Sequence, residues 1–401
     1  MAGITICWEL GAGLGHVRYL AELAKRLKRA GHRVSTVMAN VQSADVLMKP
    51  LDVPVYQAPR WQKPTHKPKV TLNYAELLGA VGYVVNGGVA SMVASWQNLF
   101  RLLKPELLIA NQAPTALLAA RELGCMTAII GTGFAVPPRS SPMHCMAPWV
   151  PHDPARLERS EAFMLKAINS GLIACGLKPL NVFSDLFDCD LQILTTFHEL
   201  DHYPDRPSAA YRGPMINQSE SPRPEWPEST GDRKRVFAYL KRSHEGFEHL
   251  MRALGRANTI SLAYVSGLSD PELNQWQTSR CRVTNVPVDM QRACAQADLV
   301  VCHSGHGSIA QSLLSGTPLL LAPELTNLEQ HINTRNVIAL GSGAVVSDDF
   351  SADDIDGQLI SLLQDHSVTD RARDFSAHYD SFDPVTQLEN IAAELSALVG
   401  H

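Results

Sequence analysis

The segment Asp298-Leu-Val-Val-Cys-His-Ser-Gly-His-Gly-Ser308 indicates most directly which fold this 401-residue chain adopts. Its apolar residues predict a buried strand, Leu299–Cys302, which runs into a turn of small residues and then into a helix that ends near Ser315. A strand that leads through such a turn into a helix is typical of parallel α/β sheets, and the helix N-terminus can bind an anion. No lysine follows the glycines, so the segment lacks the pattern of a nucleoside triphosphate P-loop.

A second turn of this kind, Gly11-Ala-Gly-Leu-Gly-His16, lies near the N-terminus. It joins a predicted strand, Ile4–Trp8, to a predicted helix that ends at Ala30. A nicotinamide-binding site needs G-x-G-x-x-G and an acidic residue after the second strand, and the chain has neither here. A tight turn accounts for the glycines but not for a histidine at the start of the helix, so His16 is predicted to be functional.

Short apolar runs alternate with helical patterns along most of the chain. The other predicted strands are Val34–Met38, Leu107–Ala110, Thr127–Ile130, Leu191–Leu194, Val236–Leu240, Ile260–Val265, Leu319–Leu321 and Ala344–Val346. This alternation predicts an α/β protein with parallel sheets that are covered by helices on both faces. The proline-rich residues 214–234 predict a linker between two doubly wound domains, 1–213 and 235–383. Residues 59–70 and 74–103 break the alternation and predict an insertion on the strand-end face, where α/β proteins place ligand loops.

The amino-acid composition and charge disfavour several classes of protein. Hydrophobic residues make up 45% of the chain and charged residues 19%, which is enough apolar material for two cores. The 35 basic and 40 acidic side chains give a net charge of −5, which disfavours a dedicated nucleic-acid-binding protein. No apolar run is long enough to span a membrane, and the N-terminus does not have the pattern of a secretory signal. With eight scattered cysteines and no C-x-x-C pair, we expect a cytoplasmic protein with reduced thiols.

Two histidine patterns could suggest a metal site. His303 and His306 have no cysteine or carboxylate companions nearby, and His198-Glu-Leu-Asp-His202 matches the H-E-x-x-H pattern of zinc proteases. The latter follows a predicted strand and meets Pro204 two residues later, which predicts a loop rather than the long helix that this zinc site needs. We therefore expect no metal and no tightly bound cofactor.

From Val286 to Val346 the chain resembles the donor-binding region of the UDP-glycosyltransferase-like enzymes of the GT-B fold, which include macrolide and antibiotic-tailoring types. The resemblance is carried, in order, by Val286-Pro287, His303, Gly305, Ser308, Gly316-Thr-Pro318, Pro323 and Glu329-Gln330 with Asn333. It implies two Rossmann-like domains that face a central cleft, the N-terminal one binding the acceptor and the C-terminal one binding the donor. It also implies that a helix within 384–401 packs back on the N-terminal domain.

The resemblance further implies an inverting transfer of a hexose from a nucleoside diphosphate sugar to a hydroxyl of a small molecule. In this scheme His16 is the general base and Asn111 supports it, in a position where family members commonly have aspartate. The diphosphate would lie against His303, Ser304, Gly305, His306, Gly307 and Ser308. The nucleoside would lie near Val286 and Gln311, and the donor sugar near Glu329, Gln330 and Asn333.

Several alternatives remain open on the sequence alone. Many enzymes that use UDP-sugars have glutamate where this chain has Gln311, so UDP is favoured as the nucleotide and dTDP stays possible. Trp61, Phe134 and His144 are predicted to bind the acceptor, but such side chains can also simply pack loops over the sheet. Asn111 and Gln311 also suit a nucleotide-binding scaffold protein without turnover. A sugar-nucleotide epimerase would need more carboxylates near the donor. The sequence does not indicate an oligomeric state.

Overall fold

The computed structural model describes residues 1–11, 14–61, 71–207, 209–216, 221–228, 232–347 and 351–400. Parts of the predicted glycine-rich turn, the insertion and the linker lie outside the described residues: 12–13, 62–70, 217–220 and 229–231. The chain forms two compact units, one made of Met1–Asn217 with Asp383–His401 and the other of Gln218–Phe382. Among the described residues, no helix has both the length and the apolar character required to span a membrane.

The first unit contains a six-stranded parallel sheet with the strand order β3-β2-β1-β4-β5-β6. Its strands are β1 (Gly3–Trp8), β2 (Arg33–Met38), β3 (Val55–Gln57), β4 (Leu107–Asn111), β5 (Met126–Gly131) and β6 (Leu191–Leu194). Its helices are α1 (Leu14–Arg29), α2 (Val41–Met48), α3 (Tyr74–Val81), α4 (Gly88–Leu103), α5 (Pro114–Ala120) and α6 (Ala155–Ala174), with 3-10 turns at Lys49–Leu51, Phe183–Phe187 and His198–Leu200.

The second unit repeats this plan with the order β12-β11-β10-β7-β8-β9. Its strands are β7 (Arg235–Lys241), β8 (Ile260–Ser266), β9 (Cys281–Thr284), β10 (Leu299–Cys302), β11 (Leu319–Leu321) and β12 (Gly343–Val345). Its helices are α7 (Phe247–Arg256), α8 (Asp270–Trp276), α9 (Met290–Gln296), α10 (His306–Leu314), α11 (Leu328–Leu340), α12 (Ala352–Gln364) and α13 (His366–His378).

The last helix, α14 (Pro384–Ala397), belongs to the first unit. Leu388, Ile391 and Leu395 are buried in the same core as the apolar face of α1. An ion pair joins Arg26 Nε of α1 to Glu389 of α14 at 2.9 Å. The chain therefore returns to its N-terminal unit after completing the second sheet.

In both units the strand order reverses beside the first strand. In the first sheet β1 lies between β2 and β4, with Trp8 opposite Asn111. In the second sheet β7 lies between β8 and β10, with Tyr239 opposite Cys302. Ligands of doubly wound sheets bind at such switch points, outside the carboxyl ends of the strands. The turns that follow β1 and β10 therefore both leave a strand at a switch point.

The predicted α/β class and every predicted strand are confirmed, whereas the interpretation of 74–103 needs correction. These residues form α3 and α4, and α4 packs on α5 and α6 in the covering layer of the first sheet. They are thus part of the helical layer that the alternation predicts. The two short edge strands β3 and β9 were not predicted, because each has few residues and only partial burial.

Candidate active site

His16 lies in the first turn of α1, next to the carboxyl end of β1. Its Nδ1 is 2.8 Å from Oδ1 of Asn111, the last residue of the neighbouring strand β4. Its ring stacks on the indole of Trp8, with ring centroids 5.3 Å apart. The structure therefore brings together His16 and Asn111, the pair that was predicted to act jointly.

The hydrogen bonds of Asn111 fix the tautomer of His16. The fully buried amide donates from Nδ2 to the carbonyl oxygen of Ile130 at 2.7 Å, and a carbonyl can only accept. Oδ1 therefore faces His16, and Nδ1 of His16 must donate to it. In a neutral imidazole the proton on Nδ1 leaves a lone pair on Nε2. His16 is thus held as a base with Nε2 as the basic atom.

The pKa of His16 fits this role. Burial lowers the pKa below the ordinary histidine value, and the hydrogen bond to Asn111 offsets only part of that effect. Asn111 has no charge with which to stabilise an imidazolium, unlike the carboxylate in the usual His–Asp arrangement. The ring is therefore neutral at pH 7 and available to accept a proton.

A buried carboxylate, Glu9, directly follows β1. It accepts hydrogen bonds from Trp61 Nε1 at 2.8 Å, from the Thr115 amide at 2.9 Å and from Thr115 Oγ1 at 2.5 Å. Burial raises its pKa to about 7, although these hydrogen bonds favour the charged form. Glu9 therefore anchors Trp61 and the start of α5 (Pro114–Ala120). These hydrogen bonds go to Trp61 and Thr115 and not to His16, so Glu9 does not supply the carboxylate that position 111 lacks.

At the switch point of the second sheet, His303 follows β10 and is 4% exposed. Its Nε2 accepts from the amide of Lys241 at 2.9 Å, and its Nδ1 donates to the carbonyl oxygen of Ala322 at 3.0 Å. Burial, with a smaller contribution from His244, lowers its pKa to about 3. Both ring nitrogens of His303 therefore have main-chain partners, and its contact with a diphosphate stays a prediction.

The turn that follows His303 is strained and firmly held. Ser304 is buried and adopts a left-handed conformation with φ of 56°. Its carbonyl oxygen accepts from Asn333 Nδ2 at 2.9 Å, and its hydroxyl accepts from Thr334 Oγ1 at 2.7 Å. Asn333 is 3% exposed and supports this turn, and its predicted contact with the donor sugar stays a prediction.

This support holds the turn from which α10 starts. Gly305 caps the helix and His306 begins it, while the amides of Ser308 and Ile309 are used by the carbonyl of Gly305. The positive end of the helix dipole therefore lies at Gly305, His306 and Gly307, where an anion is favoured. Gly307 is exposed and His306 is half-buried in this turn, and their contact with a diphosphate stays a prediction.

Next to this turn, Lys241 at the end of β7 pairs with Glu324 after β11, with an Nζ–Oε1 distance of 2.6 Å. Gln330 Oε1 accepts from the Glu324 amide at 2.7 Å, so this predicted sugar-binding residue also fixes the loop that follows β11. Glu329 lies in the first turn of α11, and burial raises its pKa to about 7. A carboxyl of this kind can either accept or donate a hydrogen bond near neutral pH.

The two residues predicted to contact the nucleoside lie on separate elements. Val286 follows β9, is half exposed, and its amide donates to Thr284 Oγ1 at 3.0 Å. Gln311 is in α10 and donates to the carbonyl oxygen of Gly307 at 3.2 Å, which turns its amide back onto its own helix. Gln311 is thus near the first turn of α10 but already has a partner there.

The three residues predicted to bind the acceptor lie in the first unit. Trp61 is partly exposed and stacks on Tyr83, with ring centroids 4.2 Å apart. Phe134 contacts the ring of His202, and His144 Nδ1 lies 3.0 Å from Ser140 Oγ. Of the three, Trp61 is connected to the His16 region, through Glu9 and the end of β1.

The sequence did not predict the ion pair that holds the loop after β6. Asp201 forms a buried ion pair with Arg206, and Arg206 Nη2 donates to the Val136 carbonyl oxygen at 2.7 Å. A Cβ on Gly133 would meet Asp201 Oδ1 at 2.0 Å, which explains glycine there. His198–Leu200 is a single 3-10 turn, so this H-E-x-x-H pattern lies on no long helix. Within the described part of the chain, no cluster of three or more metal-ligating side chains occurs.

The family model that matches this chain covers part of the second unit. Residues 249–378, less than half of the chain, match the Glycosyltransferase family 28 C-terminal domain. Over 110 residues the chain is 32% identical to a UDP-N-acetylglucosamine--N-acetylmuramyl-(pentapeptide) pyrophosphoryl-undecaprenol N-acetylglucosamine transferase from Clavibacter sepedonicus. That match covers 27% of this chain and 30% of the relative, so the chain matches less than a third of the relative's length.

Solved structures show the same fold over the whole chain. The calicheamicin glycosyltransferase CalG4 aligns with a TM-score of 0.71 and 16% identity, covering 100% of this chain and 99% of that one. The spinosyn rhamnosyltransferase SpnG, solved with thymidine diphosphate, aligns with a TM-score of 0.66 and 14% identity over 98% of this chain and 100% of that one. The resemblance to glycosyltransferases of the GT-B fold that the sequence predicts is confirmed.

Proposed function

We propose that this chain, whose residues 249–378 carry the family 28 glycosyltransferase C-terminal domain, is an inverting glycosyltransferase. It moves a hexose from a nucleoside diphosphate sugar to a hydroxyl group of a small-molecule acceptor. The first unit binds the acceptor and supplies the base, and the second unit binds the donor. The observation that carries the proposal is the fixed tautomer of His16, with its basic Nε2 at the switch point of the first sheet.

The reaction follows from this basic nitrogen. Nε2 of His16 takes the proton of the acceptor hydroxyl while the oxygen forms a bond to the anomeric carbon of the donor. The bond from that carbon to the diphosphate breaks, and the nucleoside diphosphate leaves with the electron pair. A single displacement inverts the anomeric carbon. Asn111 keeps the imidazole in the required tautomer throughout.

The positive end of α10 is proposed to bind the negatively charged diphosphate of the donor. The helix dipole at Gly305, His306 and Gly307 stabilises negative charge that grows on the leaving diphosphate. Asn333 holds the carbonyl of Ser304 in this turn, and the His303 ring binds the main chain of Lys241 and Ala322 next to it. Glu329 and Gln330 at the start of α11 are proposed to contact the donor sugar. We propose that no metal is needed, so chelation with EDTA should leave the rate unchanged.

The nucleotide is proposed to be a uridine or thymidine diphosphate. The curated relative takes its sugar from a UDP donor, whereas SpnG was solved with thymidine diphosphate. Gln311, in place of the glutamate of many enzymes that use UDP-sugars, leaves both nucleotides possible. The acceptor is proposed to be a lipophilic or planar alcohol, because Trp61 offers a partly exposed aromatic surface in the acceptor unit.

A panel of thermal unfolding measurements with UDP, dTDP, GDP and NAD tests this function. A ligand at about 100 times its dissociation constant adds about 2.7 kcal/mol, which raises Tm by several degrees. We expect a selective shift with UDP or dTDP, followed by release of that nucleotide from the matching nucleotide sugar. A response to NAD alone would contradict the proposal. Nucleotide binding with no turnover on any donor would favour a scaffold protein instead.

A further inference from the structure

The indole nitrogen of Trp8 is a buried donor without an acceptor among the described residues. Trp8 ends β1 and is 1% exposed, and its Nε1 has no hydrogen-bond partner. An unsatisfied buried donor costs about 1–3 kcal/mol, so such atoms are rare in native proteins. A phenylalanine would supply the same apolar ring without that cost. The N–H group of Trp8 is therefore a candidate for a functional hydrogen bond.

The surroundings of this N–H group are those of the predicted base. The Trp8 indole stacks on His16 with an interplanar angle of 20°. Gly11, with φ of +100°, lies beside both rings: a Cβ placed on it would be 3.6 Å from Trp8 Nε1 and 3.4 Å from His16 Nε2. The same point is 2.9 Å from Oε1 of Gln112. Three polar atoms from β1, α1 and the end of β4 thus converge on the face of Gly11 that carries no side chain.

The polarity of these atoms selects the group that can bind between them. Trp8 Nε1 is a donor only, whereas His16 Nε2 has the lone pair that the Asn111 hydrogen bond leaves on it. A carboxylate could accept from Trp8 but would face the lone pair of His16. An ammonium group could donate to His16 but could not accept from Trp8. A hydroxyl oxygen does both, because it donates one proton and accepts through its lone pairs. Gln112 Oε1 is a second acceptor at this point, so the single proton of the hydroxyl goes to one of two atoms, and we assign it to His16 Nε2.

We propose that Trp8 is a catalytic residue that binds the attacking oxygen of the acceptor, an inference that rests on the proposed transferase function. The hydroxyl donates its proton to His16 Nε2 and accepts a hydrogen bond from Trp8 Nε1. When the proton moves to His16 and the oxygen forms its bond to the anomeric carbon, negative charge grows briefly on the oxygen. The indole N–H stabilises that charge, while the diphosphate leaves with the electrons of the broken bond. A side chain at Gly11 would project toward these three atoms and would be strained at a φ of +100°, which explains glycine at this position.

The test compares Trp8→Phe with Trp96→Phe. Trp96 is also fully buried with an unpartnered Nε1, but it lies in α4 and its ring packs against Phe100. The readout is release of nucleoside diphosphate from UDP-N-acetylglucosamine and dTDP-glucose, with water as the acceptor that takes the hydroxyl's place. Loss of a hydrogen bond to a charged group should lower kcat about tenfold to a hundredfold in Trp8→Phe and leave Trp96→Phe unchanged. The acid limb of the pH profile should stay in place, because His16 keeps its ring contact and its partner.

Equal rates for wild type and Trp8→Phe would overturn the proposal, as would a loss of rate that comes with a displaced acid limb. A second measurement does not depend on turnover. In protein labelled with 15N in its tryptophans, the two variants identify the Trp8 and Trp96 indole resonances, and cross-relaxation with bound water is expected for Trp8 but not for Trp96. A Trp8 resonance without this cross-peak contradicts the oxygen site even if the protein transfers sugar. A clear cross-peak in a protein that turns over no donor leaves the oxygen site standing and counts against the transferase function.

Discussion

The two sheets share one strand order, yet the histidines at their switch points are held in opposite ways. His16 has one ring nitrogen bound to a side-chain amide and the other available as a base. His303 has both ring nitrogens bound to main-chain groups, Lys241 N–H and Ala322 C=O, and stacks on a second imidazole 4.0 Å away. A histidine on either side of a switch point is therefore held in a form that suits proton transfer in one unit, and is fixed by main-chain groups in the other.

This difference matches the chemistry proposed for each unit. An acceptor hydroxyl must lose a proton, so its unit needs a titratable group with a free lone pair. A diphosphate already carries its charge, so its unit needs a helix dipole and a turn that cannot move. In the second unit even the polar side chains Asn333 and Gln330 are used to fix main-chain atoms.

The largest effect is expected for His16→Ala. Removing a general base should lower the transfer rate about a hundredfold or more, because the hydroxyl must then attack without losing its proton to the protein. Thermal stabilisation by UDP or dTDP should be retained, since the second unit is unchanged. The matched control is His32→Ala, a histidine of the same unit near Ala2. A His16→Ala variant with nearly full activity would remove this residue as the base.

In the second unit, His303→Ala is expected to lower the stability of the fold. This change leaves the Lys241 amide and the Ala322 carbonyl without partners in a buried place, which should lower the free energy of unfolding by about 3 kcal/mol. Urea unfolding of the purified variant measures this loss, with the exposed His366→Ala as the control. If His303→Ala unfolds like wild type but no longer binds nucleotide, the ring contacts the diphosphate after all, and the two histidines are more alike than their hydrogen bonds indicate.

Much of this contrast could not be predicted from the sequence. The long apolar runs predict the central strands, and the turns at Gly11 and His303 mark the two switch points. The partners of His303 come from β7 and from the residue after β11, 62 and 19 residues away in the chain, and only the folded sheet brings them together. Similarly, the orientation of the Asn111 amide depends on a carbonyl in β5. Residue type locates a site, but the main-chain groups around it decide what the side chain can do.

Glu9 is expected to make the free energy of unfolding depend on pH, with an effect of intermediate size. Its pKa is about 7 in the folded protein against an ordinary value of 4.5, so the folded state favours the protonated form. Its contribution to stability is fully present below pH 4.5 and is lost as the pH rises through 7. Relative to Glu9→Gln, wild type should lose about 2 kcal/mol of unfolding free energy between pH 5 and pH 7.

Urea unfolding at several pH values measures this slope, and the exposed Glu158→Gln serves as the control. Parallel pH curves for wild type and Glu9→Gln would mean that Glu9 stays ionised in the folded protein. In that case its three donors, from Trp61 and Thr115, outweigh its burial. The carboxylate would then hold Trp61 equally well at every pH near neutrality.

The smallest effect, and the most specific one, is expected for Asn111→Asp. In wild type, burial lowers the pKa of His16, so kcat/KM should stay level from pH 8 down to 6.5 and fall only below that. An aspartate at 111 would accept from His16 Nδ1 but could not donate to the Ile130 carbonyl unless it were protonated. Once ionised, it would raise the pKa of His16 and move the acid limb about one pH unit upward.

The control for this variant is Asn73→Asp, another fully buried asparagine of the first unit, whose amide donates to Ser160 rather than to the main chain beside His16. Asn73→Asp should leave the acid limb of the kcat/KM profile at the pH of wild type. An unmoved limb in Asn111→Asp would mean that the aspartate stays protonated and donates to Ile130 as the amide does. The carbonyl of Ile130, rather than the charge at position 111, would then be what selects the tautomer of His16, and asparagine would be the residue that satisfies both neighbours at every pH.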